Sequence, residues 1–167
     1  TKSGASIELP DKTVEVHSAY WERRQEQLYC QLRDELQAIV VRNGVPTEEE
    51  AAPLLKRLLR LVQLASNPRL VDESYSAEPG KLPVVSDLVE SICRAGEKCI
   101  IWSQFTANVD WLASEFAQLG SCKIHGKMAM PDRDRSVVRF MKEGDTRVLV
   151  ATPGAAKEGL TLTSANH

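Results

Sequence analysis

The chain has 167 residues, 43% of them apolar and 26% charged, an ordinary globular balance with room for one domain with a sizeable core or two small ones. A formal net charge of -2 excludes a global electrostatic pull on nucleic acid, so any such contact must be local. No apolar run approaches the roughly 20 residues that span a bilayer, and no signal peptide is visible.

Cys30, Cys93, Cys99 and Cys122 form none of the close pairs of zinc sites, and no His completes one. Cys93 and Cys99 sit in apolar runs and read as core thiols. A reduced, intracellular protein, cytoplasmic or nuclear, is the simplest expectation. No metal site and no internal repeat is found.

Residues 1–18 read as an extended lead-in. Val14 and Val16 alternate onto one side around Thr13 to His17, and Pro10 confines any strand to an edge. A helix is predicted over 20–43 from the recurrence of Leu28, Leu32, Leu36 and Ile39/Val40, stopped by Asn43-Gly44. Thr47-Glu48-Glu49-Glu50 makes a capping box. The helix behind it carries Leu54, Leu55, Leu58, Leu61, Val62 and Ala65, and Asn67-Pro68 ends it. Residues 19–70 are therefore expected to form an antiparallel helical hairpin held by leucine packing. Residues 71–81 read as a polar linker, with Pro79-Gly80 marking a domain boundary. Lys81 lacks the spaced glycines of a P-loop and reads as structural.

Over residues 82–167 helices and strands alternate. A helix begins at Pro83, buries Val85, Leu88, Val89 and Ile92, and closes at Gly96. Lys98 to Trp102 is a strand. Thr106 can cap the next helix, which buries Val109, Leu112, Ala113, Phe116 and Leu119. Ser121 to His125 is a second strand. Pro131 to Lys142 is a helix with Val137, Phe140 and Met141 inward. Val148 to Ala151 is a short, wholly apolar run, as in a buried parallel strand, and Thr152-Pro153-Gly154 must end it. Helices between successive strands imply parallel strands. The fold class is α/β, a partial doubly wound parallel sheet preceded by a helical hairpin.

Three loops then share the carboxyl edge of the sheet: Ser103-Gln104-Phe105, Gly126-Lys127, and Thr152 to Gly159. Each can be an ordinary strand-to-helix turn. Hydroxyls, a lysine and free amides on one edge also suit phosphate oxygens, though without the aromatic or Arg cluster that base reading uses. His125 reads as a structural hydrogen-bonder. No nucleophile–base or carboxylate pair stands out, so no catalytic residue is assigned.

The stretch RVLVATPGAAKEGLTLTSAN, Arg147 to Asn166, resembles the fifth conserved motif of helicase superfamily two, in the form found in SWI/SNF-like DNA-translocating ATPases. Blocks upstream match in order: Leu9, Pro10 and Lys12; Gln25 to Tyr29 more loosely; Leu58, Leu61, Leu64, Asn67, Pro68 and Leu70; Gly80, Lys81 and Leu82; the fourth motif around Ser103 to Phe105; and His125-Gly126 with Arg135 and Phe140. The resemblance implies the second RecA-like motor lobe, the helicase C-terminal lobe, of an ATP-hydrolysing duplex-DNA translocase. It implies that a first lobe precedes Thr1 and that the lobe continues past His167. By the same resemblance Ser103, Gln104, Lys127 and Thr152 would touch DNA, and Glu158 and Gly159 would face the nucleotide. ATP and Mg would be held mainly by the first lobe, so the chain alone is expected to be inactive. Where the family has Arg-Ala-Gly-Gly-x-Gly after the Thr, this chain has Pro153 to Gly159 with one residue more, leaving residues 153–158 without individual roles. Two alternatives stand: a superfamily-two RNA or single-strand helicase lobe, and a non-catalytic interaction module whose leucine-rich hairpin exposes an apolar patch.

Overall fold

A computed structural model describes residues 13–43, 48–156, 165 and 167. Leu9, Pro10 and Lys12, the Gly44 stop, Thr47 of the capping box, and Glu158 and Gly159 lie outside the described residues.

Residues 13–22 carry no regular secondary structure, and Val14 and Val16 stand in solvent. Helix α1 (Arg23–Asn43) and helix α2 (Glu48–Ser66) follow. Gln25 in the first turn of α1 donates to the Leu64 carbonyl in the last turn of α2, so the two run antiparallel. Their seam buries Leu36, Leu61 and Leu64. Leu55, Leu58 and Val62, expected in that packing, are exposed instead. Two helices can bury only one stripe of each against the other, and these three lie on the remaining face of α2.

The polar stretch after α2 is held closely. Asn67 caps a single 3-10 turn (Pro68–Leu70), its side chain accepting from the Arg69 amide. Tyr75 and Pro79 are buried. The Gly80 amide donates to Gln25 Oε1 at 2.8 Å. A Cβ at Gly80 would stand 2.1 Å from the Tyr20 carbonyl oxygen and 2.9 Å from the Glu22 nitrogen, so only glycine lets these two backbones meet.

The α/β lobe comprises α3 (Leu82–Arg94), β1 (Cys99–Trp102), α4 (Thr106–Glu115) with a 3-10 extension (Ala117–Leu119), β2 (Ser121–Ile124), α5 (Met130–Lys142), β3 (Val148–Ala151) and a four-residue turn, α6 (Pro153–Ala156). The strands are parallel in the order β1-β3-β2. All four residues of β3 are buried, which is why its sequence is an unbroken apolar run. Alternate side chains serve opposite faces. Val148 and Val150 pack with Val89 and Cys93 of α3, Val109 and Leu112 of α4, and Phe116 just after α4. Leu149 and Ala151 pack with Phe140 of α5 and with Cys122 and Ile124. With a helical layer on each face, the sheet is the doubly wound one its pattern predicts.

Details differ from expectation. Leu88 is exposed, because Val89 and Cys93 take the centre of the α3 stripe. Thr106 is the first residue of α4, and Phe105 occupies the cap without a side-chain bond. The helical α6 begins directly after Thr152 and takes residues 153–156 of the expected loop, since Pro is preorganised for a first helical position; residues 157–159 lie outside the described residues. Gly120 has φ 70°, and a Cβ there would lie 1.7 Å from the Asp145 carbonyl oxygen, fixing the entry into β2. Beyond β1, the Ile100 amide donates to the His167 carbonyl, which places His167 beside that strand.

Candidate nucleic-acid interface at the strand ends

The register of the sheet builds the site. Trp102, Ala151 and Ile124 are the last paired residues of β1, β3 and β2. Ser103, Thr152 and His125 therefore come next in three neighbouring strands, with Thr152 in the middle. At about 4.8 Å between strands, the row spans about 10 Å. The ladder extends into it: the Ser103 amide donates to the Ala151 carbonyl and the Thr152 amide to the Ile124 carbonyl, each at 3.0 Å. Three of the four residues expected to touch DNA lie in or just beyond this row, Ser103, Thr152 and Lys127, and Gln104 is adjacent.

Their environments differ. Ser103 and Thr152 are each 8% exposed and so largely buried. Gln104 and Lys127 are exposed. The Ala155 amide bonds the Thr152 carbonyl and Pro153 has no amide hydrogen. The turn therefore offers fewer free amides than a loop would, because it closes at once into α6.

Lys127 is presented by a braced loop. Arg133 of α5 donates to the Gly126 carbonyl at 2.9 Å and to the Met128 carbonyl at 3.2 Å. The Lys127 amide donates to His125 Nδ1 at 3.3 Å, which leaves Nε2 to carry the hydrogen and donate to Asp110 Oδ1 at 3.0 Å. His125 is thus a buried strut. Burial works to raise the Asp110 carboxyl; hydrogen bonds from Lys123 and His125 outweigh it and hold the carboxyl below its ordinary range. No carboxylate pairs with Lys127 among the described residues, and its side chain stands in solvent.

Asn108 and Asn67 were not singled out as site residues from sequence. Asn108 Nδ2 donates to Ser103 Oγ at 3.1 Å, and Asn67 Nδ2 donates to Asn108 Oδ1 at 2.9 Å. Asn108 lies on the apolar stripe of α4 one residue before Val109, and a polar residue on a buried stripe was the available signal. Ser103 and Asn108 also line a groove of about 350 Å³ between α2, α3 and α4, walled by Val62, Leu82 and Trp111. Glu158 and Gly159 lie outside the described residues. Among the described residues, no three His, Cys, Asp or Glu side chains gather into a metal site.

The lobe is thus a parallel sheet with helices on both faces and Ser103, Thr152 and His125 side by side at its carboxyl edge. Residues 80–167, more than half of the chain, match the helicase conserved C-terminal domain, and the chain belongs to that family. Its fold is that of the C-terminal lobe of SWI2/SNF2 ATPases. It superposes on the Sulfolobus solfataricus SWI2/SNF2 ATPase C-terminal domain with a TM-score of 0.76 at 21% identity, covering 89% of this chain and 66% of that one. On the Sulfolobus solfataricus SWI2/SNF2 ATPase core in complex with dsDNA the TM-score is 0.77 at 20% identity, covering 89% of this chain and 32% of that one. Among curated proteins, it is 31% identical over 113 residues to the bifunctional helicase and thymine dioxygenase JBP2 of Leishmania infantum, covering 66% of this chain and 10% of the relative. It is 36% identical over 73 residues to the DNA repair protein rad8 of Schizosaccharomyces pombe, covering 42% of this chain and 6% of the relative. The chain spans about a tenth of the length of the curated relatives it matches. No described helix is long and apolar enough to cross a membrane.

Proposed function

We propose that this chain is the second motor lobe of an ATP-dependent duplex-DNA translocase, contributing phosphate contacts and one side of the ATP cleft. The observation that carries the reading is the row Ser103–Thr152–His125 at the carboxyl ends of three parallel strands, flanked by exposed Gln104 and an unpaired Lys127. It offers donors and a cation without a base-reading cluster, which suits a motor that tracks a backbone irrespective of sequence. The structural neighbour in complex with dsDNA supports the same partner, and the DNA repair relative supports a nuclear setting.

In this reading ATP and Mg sit mainly on a first lobe of the same polypeptide, and Glu158 and Gly159 face the nucleotide from this side. The bound metal ion would neutralise charge developing on the transferred phosphoryl group. This chain's own part is to grip the DNA, so alone it is expected not to hydrolyse ATP.

The test is ATP turnover by the full-length polypeptide with no nucleic acid, duplex DNA, single-stranded DNA and RNA, repeated with Thr152→Ala. Strong stimulation by duplex DNA, weakened by the substitution, is expected. Stimulation by RNA alone would replace this reading with an RNA-helicase lobe. Lys127→Ala should lower the slope of log affinity against log salt by about 0.9, the value for one phosphate-bound cation.

A second reading is favoured by one observation. Leu55, Leu58, Leu59 and Val62 of α2 are 63%, 42%, 51% and 55% exposed, an apolar face at helical spacing that marks interaction surfaces. If the chain is an adaptor rather than a motor lobe, Leu55→Gln with Leu59→Gln should abolish its recruitment while Thr152→Ala does nothing.

A further inference from the structure

We propose that Asn67 and Asn108 are positioning residues that turn the Ser103 hydroxyl outward as a hydrogen-bond donor for a phosphate oxygen. The proposal rests on the nucleic-acid reading of the same edge. It begins from the direction of a buried chain of hydrogen bonds.

The backbone amide of Arg69 can only donate, and it meets Asn67 Oδ1 at 3.0 Å. That fixes the Asn67 amide, so its Nδ2 is what faces Asn108, at 2.9 Å from Oδ1. Asn108 is thereby fixed in turn, and its Nδ2 faces Ser103 Oγ at 3.1 Å. A side-chain amide has one acceptor end and one donor end, so each link passes the same orientation to the next. Asn67 and Asn108 are 1% and 5% exposed, too enclosed for water to reverse either.

Ser103 Oγ also accepts from the Phe105 amide at 3.3 Å. A hydroxyl has two acceptor lone pairs and one hydrogen. Both lone pairs are now filled by N–H groups. The hydrogen alone remains, and no acceptor is bonded to it among the described residues. Beside Gln104 and one strand from Thr152, such a hydroxyl suits an anionic oxygen and repels a donor. The relay starts at the turn that ends the hairpin, so the setting of α1 and α2 reaches the strand-end row through Asn67.

The experiment uses the full-length polypeptide and fluorescence anisotropy with a labelled duplex at several salt concentrations. Ser103→Ala should weaken binding about tenfold, the effect of one hydrogen bond to a charged group, without changing the salt slope, since no cation is lost. Asn108→Asp replaces the donor facing Ser103 with an acceptor, which turns the hydroxyl hydrogen inward. It should cost a similar factor, and the double variant should bind no worse than Ser103→Ala. A loss from Asn108→Asp that persists undiminished beside Ser103→Ala would be simple charge repulsion or misfolding and would overturn the relay, as would unchanged binding by Asn108→Asp. Asn108→Leu, which removes the donor without adding an acceptor, should show a smaller loss that also vanishes beside Ser103→Ala, and it decides the matter if the Asp variant does not fold. If Ser103→Ala binds normally, the relay falls. Lys127→Ala and Thr152→Ala then separate the cases: weakened binding keeps the nucleic-acid reading, and unchanged binding removes that as well.

Discussion

The core of the sheet and the seam that joins the helical pair to it are built from opposite chemistry. On both faces of β3 the contacts are apolar, from Val148, Leu149, Val150 and Ala151 to Phe140, Val109 and Val89. At the seam the buried residues include the polar Gln25 and Asn67 beside Tyr75, Pro68 and Pro79, with the Gly80 backbone pressed against residues 20–22. Apolar contacts have no direction, so the core fixes which elements meet and tolerates swaps that conserve volume. Hydrogen bonds have direction, so the seam fixes the angle at which the hairpin leaves the lobe. The seam also touches the candidate site, through Asn67 and Asn108, whereas the core only sets the row in which that site stands.

The largest effect belongs to the core. Phe140 is fully buried, and Phe140→Ala should cost about 3–5 kcal/mol, read from the urea midpoint of the isolated chain. A loss below about 1 kcal/mol would mean that the α5 layer is not part of the cooperative unit.

Next comes a pair that sharpens the contrast. Leu149→Met conserves volume in the core and should cost under about 1.5 kcal/mol. Gln25→Met is as conservative in shape, yet it strips the partner from the Leu64 carbonyl and from the Gly80 amide. Leaving one buried and one part-buried backbone group unpaired should cost about 2–3 kcal/mol. Equal costs for the two would erase the distinction between the regions.

What the sequence discloses follows the same division. Periodicity reports apolar burial, so α3, α4, α5 and the three strands are legible, as is the double winding. Val148 to Ala151 shows its central place by having no polar residue at all. The seam leaves no such trace. Gln25 lies among polar neighbours in RRQEQ and looks solvated, though it is 1% exposed. The stretch 71–81 has the composition of a linker, though Tyr75 and Pro79 are buried in it. Conversely, all the leucines of α2 look like core, and the exposed ones differ from Leu61 and Leu64 only in the side of the helix they occupy. At the strand ends the residue types Ser103, Lys127 and Thr152 are readable. The brace from Arg133 and the Asn67–Asn108 relay depend on contacts 7 and 41 residues apart in the chain, which local pattern does not encode.

The smallest effect tests the seam by its dependence on pH. The Tyr75 hydroxyl donates to the Glu22 carboxylate, which also accepts from the Gln25 amide at 3.0 Å in the first turn of α1. The Tyr75 bond first, then the backbone amides of Arg24 and Gln25, hold the Glu22 carboxyl below its ordinary range. Burial, and then the carboxylate itself, push the Tyr75 hydroxyl up, so it remains a donor throughout the working range. A carboxyl depressed in the folded state stabilises it fully above the unfolded value, about 4.3, and that contribution is lost as pH falls through the folded value. Tyr75→Phe keeps the ring and removes the donor. It should therefore lower the urea midpoint at pH 7 by less than Gln25→Met does, and the gap from the parent chain should narrow as pH falls from about 4.3 to 3. A gap of the same size at pH 3 would show that the hydroxyl stabilises the seam through an acceptor that does not titrate, and the link between Glu22 ionisation and the hairpin's attachment would be lost.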